Sequence, residues 1–276
     1  MKVAWKIVLI IALILLVLGA ALIGVSLFFG GSVESVRNNV PLMQFAQDFP
    51  DETLTALRVE LPGGRLTVEN GSVLRVEAVN VPEGCFECFI ENGVLTVRET
   101  RDASWSNTLS RLISLHRREP EYHVWLPEGA VLTSAELRVA GQTQVQGLTT
   151  QLLQLSTAGE TAVTGLRAQT AEIDAAAGKL SLFELDTDSL LLQAGAGSIG
   201  VSGAVRSRCS VELGAGDATL KLTGSAADYC AQVEVLGGEI VYDGQSCVLG
   251  SSVLGNGSGY MSLRCGAGSV RVQFFG

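Results

Sequence analysis

Glycines recur at nearly constant spacing in the second half of this chain, and this repeat limits the possible folds more than any other feature. The steps between the first five are 18, 19, 19 and 19 residues, and the next two are 22 and 30. These glycines are Gly141, Gly159, Gly178, Gly197, Gly216, Gly238 and Gly268. Apolar residues alternate on both sides of each, as Ile173 and Ala175 do before Gly178 and Leu180 and Leu182 after it. Two strand-sized alternations per period predict an all-β fold of stacked coils, a parallel β-solenoid or β-helix.

Each coil is expected to consist of a strand, a glycine corner and a second strand. Glycine suits the corner because it tolerates positive φ and a close backbone approach. One coil cannot bury its apolar face alone, whereas coils paired in parallel at about 4.8 Å per rung can. A twisted β-sandwich also has short strands at regular spacing, but it does not require the same positions to recur in every row.

Short alternating runs begin near residue 54 and set the predicted domain boundary. Leu57–Leu61 and Leu66–Glu69 are two of them, and Pro62-Gly63-Gly64 separates them as a turn. The sequence therefore predicts a β-solenoid domain over residues 54–276. Residues 30–53 are mixed in character and contain breakers such as Val40-Pro41, so they are predicted to form a juxtamembrane linker.

The N-terminus contains a long apolar segment. Residues 7–29 carry no charged side chain, and as a helix they would span about 35 Å, more than the roughly 30 Å hydrocarbon core of a bilayer. Lys2 and Lys6 precede the segment and Glu34 follows it. The positive-inside rule then places residues 1–6 in the cytoplasm as a stub and the bulk of the chain outside the membrane. The sequence predicts a single-pass signal anchor, with a signal peptide cleaved after Ala20-Ala21 as the alternative.

The β pattern is interrupted over residues 101–120. Leu109, Leu112 and Ile113 have helical spacing, and arginines such as Arg111 and Arg117 lie beside them. This favours a helical or loop insertion that caps an open end of the stack. A basic amphipathic helix in contact with anionic lipid is the alternative.

Three features of residues 55–276 together match the pattern of a known family. They are the run Leu95-Thr96-Val97 after Asn92-Gly93, the strand and proline of Tyr122–Pro127, and the glycine-centred rows from Leu137 to Tyr242. In these features the chain resembles the bacterial putative-adhesin family of the cell envelope. The resemblance implies a β-solenoid and a location outside the cytoplasm, and it supplies no catalytic residues.

Composition and motifs argue against several functions. The formal net charge of -9 would repel nucleic acid, and two histidines leave little scope for a His-based site. Gly195–Gly200 fits G-x-G-x-x-G, but no helix follows it, so no dinucleotide cofactor is expected. Asp217 follows a corner glycine as in a calcium-binding turn, but the equivalent positions hold residues such as Lys179 and Ser198, so no metal site is expected.

Six cysteines accompany the predicted location outside the cytoplasm, where disulfides persist. Cys209 and Cys230 stand seven and eight residues before their corner glycines, so neighbouring coils would bring them together. Two further pairings are Cys85 with Cys88 and Cys247 with Cys265. Cys85–Cys88 also fits a redox or half-zinc motif, and Cys265 fits a buried thiol.

The sequence favours a membrane-anchored, extracytoplasmic module without enzymatic activity, which binds, adheres or gives structure at the bacterial surface. Its partners would be the membrane and a cell-wall, surface or membrane protein. The alternative is a sensory or regulatory component of an envelope-stress system that acts through membrane partners.

An acidic cluster suggests a third possibility. It contains Glu172, Asp174, Glu184, Asp186 and Asp188. Carboxylates on adjacent coils can cleave polysaccharides by acid–base chemistry. A solvated outer face is the simpler interpretation.

Overall fold

The computed structural model describes residues 42–50, 52–100, 119–247 and 249–275. Most of them lie in one 16-stranded sheet, and the 3-10 turn Ala226–Asp228 is the one helical element of the described residues. The strands are β1 (Leu42–Asp48), β2 (Ala56–Leu61), β3 (Arg65–Gly71), β4 (Arg75–Pro82), β5 (Phe86–Glu91), β6 (Val94–Glu99), β7 (Glu121–Pro127), β8 (Val131–Val139), β9 (Gln142–Gln146), β10 (Thr149–Thr164), β11 (Arg167–Thr223), β12 (Tyr229–Val235), β13 (Glu239–Tyr242), β14 (Gln245–Cys247), β15 (Gly250–Leu254) and β16 (Gly259–Phe275). The all-β prediction is confirmed.

Alternate side chains along the strands are buried in one core. Ile173 and Ala175 before Gly178, and Leu180 and Leu182 after it, are all buried and belong to a single apolar cluster. Because successive side chains of a strand point to opposite faces, the alternating sequence dictates which face is covered. The apolar positions of the repeat therefore form the interior, and the residues between them face solvent.

In the middle of the sheet, strands β8 to β11 pair in parallel with segments that lie 18 or 19 residues away in the sequence. Thr149 of β10 lies opposite Arg167 of β11, and Gly159 lies opposite Gly178 after a register shift. β8 and β9 pair with the first and second halves of β10, with Val131 opposite Thr149 and Thr143 opposite Thr161. Each of these rows thus consists of one strand before a glycine and one strand after it.

The row glycines lie directly against one another's backbone. Gly178 has φ +120° and Gly197 has φ +138°, in the region that L side chains rarely adopt. A Cβ built at Gly178 would overlap the carbonyl oxygen of Gly159, and one at Gly197 would overlap that of Gly178. Gly64 joins the same column next to Gly141, although the sequence repeat does not include it.

Rows do not stack in chain order at either end of the sheet. β16 lies between β11 and β12, since Tyr260 is opposite both Arg208 and Cys230. In the same way β2 lies between β6 and β8, with Arg58 opposite both Thr96 and Glu136.

The glycine series is therefore not continued in sequence order after Gly216. Gly268 stacks on Gly216, and Gly238 stacks on Gly268. The longer steps of the repeat arise because the chain skips a row, forms β12 to β15, and returns to fill the gap with β16.

Antiparallel strands close both ends of the parallel stack. β5 pairs with β6, and β4 and β1 follow β7 at one end, while β15 pairs with β12 and β14 with β13 at the other. β1 falls within the range 30–53, where the sequence predicts a linker. It joins the sheet because its half-buried Met43 and Phe45 pack against the core.

Two predicted features fall outside the described residues. They are the membrane segment 7–29 and the insertion over 101–120, of which only residues 119 and 120 are described. In the described ranges, no helix combines the length and apolarity that a membrane span needs.

Candidate binding groove

A groove runs across the solvent face of strands β8, β10 and β11. The parallel register places their outward side chains in two lines, one residue from each row. The first line is Glu136, Gln154 and Glu172, and the second is Arg138, Ser156 and Asp174. Within each line, successive residues are 18 positions apart in the sequence. This spacing is the sequence signal from which the two lines could have been identified.

Two adjoining hollows of about 340 and 310 Å³ form the groove. Arg138, Ser156 and Asp174 line both of them. The second hollow is lined by small residues that include Ala140, Ala158 and Ala176. Short outward side chains at the end of each row leave this space open, and Ser156 lies where the two hollows meet.

Ion pairs hold the wall of the groove that contains Glu136. Its carboxylate contacts the guanidinium groups of Arg58 at 2.9 Å and Arg138 at 2.6 Å. Arg138 also reaches Glu60 at 3.8 Å. The positive charge of Arg138 is thus already shared between two carboxylates.

The opposite wall carries acidic groups without a cation. Gln154 Nε2 donates a hydrogen bond of 2.9 Å to Glu172 Oε2, and Asp174 is exposed. Within the described ranges, no Lys or Arg pairs with Glu172 or Asp174. The groove therefore offers hydrogen-bond acceptors and negative charge to a ligand.

The acidic residues that are grouped in the sequence lie at different sites in the structure. Glu172 and Asp174 line the groove, whereas Asp186 and Asp188 share one partner, Arg206, which contacts Asp188 at 3.5 Å. A glycosidase pair needs one carboxyl group to donate a proton and another to act as base or nucleophile. One guanidinium bridging both carboxylates is instead the arrangement of a surface ion pair.

All six cysteines lie in the described part of the chain and are free thiols. Cys209 lies opposite Met261 and Cys230 opposite Tyr260, so the β16 row separates them. At about 4.8 Å per rung, two rungs separate their Cα atoms by about 10 Å, beyond the reach of a disulfide. The prediction that they occupy neighbouring coils is wrong, because the rows are out of chain order. Neither of the other two predicted pairs is bonded in the structure.

Desolvation disfavours the thiolate form of two of the cysteines. Desolvation raises the pKa of Cys209 to about 12 and that of Cys88 to about 12. The thiolate is the reactive form of cysteine, so neither residue has the environment of a nucleophile. Cys85, Cys88 and Cys230 are half-exposed, whereas Cys209 is buried.

The Gly195–Gly200 motif and Asp217 both make contacts between rows of the sheet. Gly197 belongs to the glycine column and stacks on Gly178. Asp217 Oδ1 accepts a hydrogen bond of 2.6 Å from Ser269 Oγ of the next row. In the ranges that the structure covers, no cluster of three or more His, Cys, Asp or Glu side chains could hold a metal ion.

No family model matches the sequence, and no curated protein shows significant similarity to it. Solved structures do resemble the chain. A putative cell adhesion protein from Clostridium sporogenes is 12% identical, with a TM-score of 0.41, over 85% of this chain and all of that one (100%). A putative adhesin from Bacteroides fragilis is 11% identical, with a TM-score of 0.45, over 83% of this chain and 97% of that one. A putative lipid binding protein from Parabacteroides distasonis is 12% identical, with a TM-score of 0.42, over 86% and 98% of the two chains.

Proposed function

We propose that this chain is a non-enzymatic binding module of the bacterial surface, built as a parallel β-solenoid and anchored by residues 7–29. The parallel offsets of 18 and 19 residues and the column of stacked glycines support the solenoid. The uncharged segment after Lys2 and Lys6 supports the anchor and its orientation.

The groove on β8, β10 and β11 carries the proposed function. It crosses several rows, so an extended ligand would contact side chains from each of them. Glu172, Asp174 and Gln154 offer oxygen atoms that accept hydrogen bonds, and no free cation balances the two carboxylates within the described residues. The ligand that fits best is an extended polymer with hydroxyl groups and positive charge.

Replacing Ser156 with tryptophan is expected to weaken binding of glucosamine oligomers at least about tenfold, or about 1.4 kcal/mol. The indole would fill the junction of the two hollows, which Ser156 lines. Calorimetric titration of the full chain in detergent measures the affinity. N-acetylglucosamine oligomers, which have the same backbone without the charge, are expected to bind more weakly.

Ser198→Trp is the matched control, because Ser198 is also exposed but does not line the groove. Binding by this variant should equal that of the parent. Equal affinity of a folded Ser156→Trp chain, or no binding of glucosamine oligomers by the parent, would contradict the proposed function.

The proposed location of the module on the outer side of the cell membrane can be tested separately. A maleimide that cannot cross membranes is expected to label Cys85 and Cys230 on intact cells, because both thiols are half-exposed. Cys209 should react only after denaturation, since it is buried and desolvation raises its pKa to about 12. Mass spectrometry of digested protein identifies the labelled residues. If Cys230 is labelled only after the cells are broken open, the module does not lie on the outer side of the cell membrane.

A further inference from the structure

The four outermost strands in the described parts of the sheet differ in how well they are protected. β1, β5, β14 and β15 each pair with one neighbour only. β1 ends with Asp48, β5 contains Glu87 and Glu91, and β14 has 3 residues. β15 is 5 residues long and has the sequence GSSVL, without a charge or proline. Charged side chains, proline and short length are the usual means by which an edge strand avoids a new partner, and β15 lacks the first two.

Large aliphatic side chains are exposed around β15. Val253 on the strand is 68% exposed, and Leu249, immediately before it, is 71% exposed. Leu236 is 59% exposed and follows Val235, which lies opposite Gly250. Leu236 and Leu249 therefore lie at the same end of β15. These three residues and the β15 edge are called the β15 patch.

The β15 patch is electrically neutral in an acidic protein. The nearest carboxylate on the adjacent strand is that of Glu234, opposite Ser251. Arg264 pairs with it at 2.8 Å and also contacts Glu212 at 3.3 Å, so both carboxylates have a cationic partner. The chain as a whole carries a net charge of -9, so two copies repel each other over much of their surface. At the β15 patch they can approach without placing unpaired carboxylates together.

We propose that β15 is the edge at which a second copy of this chain pairs in antiparallel orientation about a twofold axis. An isologous contact of this kind places the same strand on both sides, so the neutral edge is its own complement. The N–H and C=O groups that point away from β12 would bond across the axis. The same contact would cover Leu249, Val253 and Leu236. This inference does not depend on the ligand of the groove.

The mass of the full chain in detergent micelles tests the proposal. Light scattering corrected for detergent is expected to give twice the 29.0 kDa of one chain. Val253→Lys should raise the dissociation constant of the dimer at least about tenfold, because each copy would bring an ammonium group to the shared edge. Hydrogen exchange at β15 should slow as the protein concentration rises.

Val131→Lys is the matched control, because Val131 is 64% exposed but lies on β8, away from the sheet edge. It should leave the mass unchanged. A single-chain mass at all concentrations would overturn the proposal. A dimer that persists in a folded Val253→Lys chain would also overturn it. The same holds if the β15 amides are protected in a complex of one copy of this chain with a different protein.

Discussion

Alanine at Gly178 is expected to lower the free energy of unfolding by about 3 kcal/mol or more. Gly178 has φ +120°, and the added Cβ would overlap the carbonyl oxygen of Gly159 in the neighbouring row. That oxygen belongs to the backbone and cannot rotate away as the end of a side chain could. The two rows would have to separate, which would strain their parallel hydrogen bonds.

Urea unfolding of the full chain in a mild detergent, followed by circular dichroism, measures this loss. Gly200→Ala is the matched control, because Gly200 lies in the same strand and a Cβ there meets nothing within 4 Å. Its stability should change by less than about 1 kcal/mol. Similar effects at the two positions would mean that the glycine column does not hold the rows together.

Ending the chain after Ser258 is expected to unfold the C-terminal rows, including β12 and β13. The truncation removes β16, whose Met261, Leu263 and Val270 are buried and which pairs with β11 on one side and with β12 and β13 on the other. Each buried aliphatic side chain of that size contributes about 1.5–3 kcal/mol, so the combined loss is a large part of the stability of an ordinary domain.

Hydrogen exchange distinguishes local unfolding from global unfolding. The amides of β12 and β13 should lose their protection, whereas those of β2 and β8 should keep it. A chain shortened only by Phe275 and Gly276 is the control and should retain protection throughout. Continued protection of β12 in the longer truncation would contradict the prediction, because it would mean that β12 keeps its structure without β16.

The core could be predicted from the sequence because each strand alternates. Ile173, Leu180 and Leu192 stand at repeat positions, and all three are buried. The order of the rows could not be predicted. Every row presents the same inward pattern, so periodicity does not specify which row is adjacent to which. The steps of 22 and 30 residues before Gly238 and Gly268 were the only sequence sign of the reordering.

The groove was predictable in part. Glu172 and Asp174 are visible as members of an acidic cluster, but the sequence does not show that they line the groove while Asp186 and Asp188 pair with Arg206 of another row. Ser156 carries no chemical signal of its own. Its place in the groove follows from the register that sets it beside Arg138 and Asp174. Side-chain size and register together create the hollow, and neither is evident from composition.

The interleaved ends determine how a protein of this type can change its length during evolution. Between β10 and the end of β11 the chain advances one row at a time, so an inserted or deleted block of about 19 residues there leaves both ends intact. A block appended after β16 would not continue this row-by-row order, because β16 already lies between β11 and β12. Duplication of a gene segment can therefore lengthen this molecule within its middle rows.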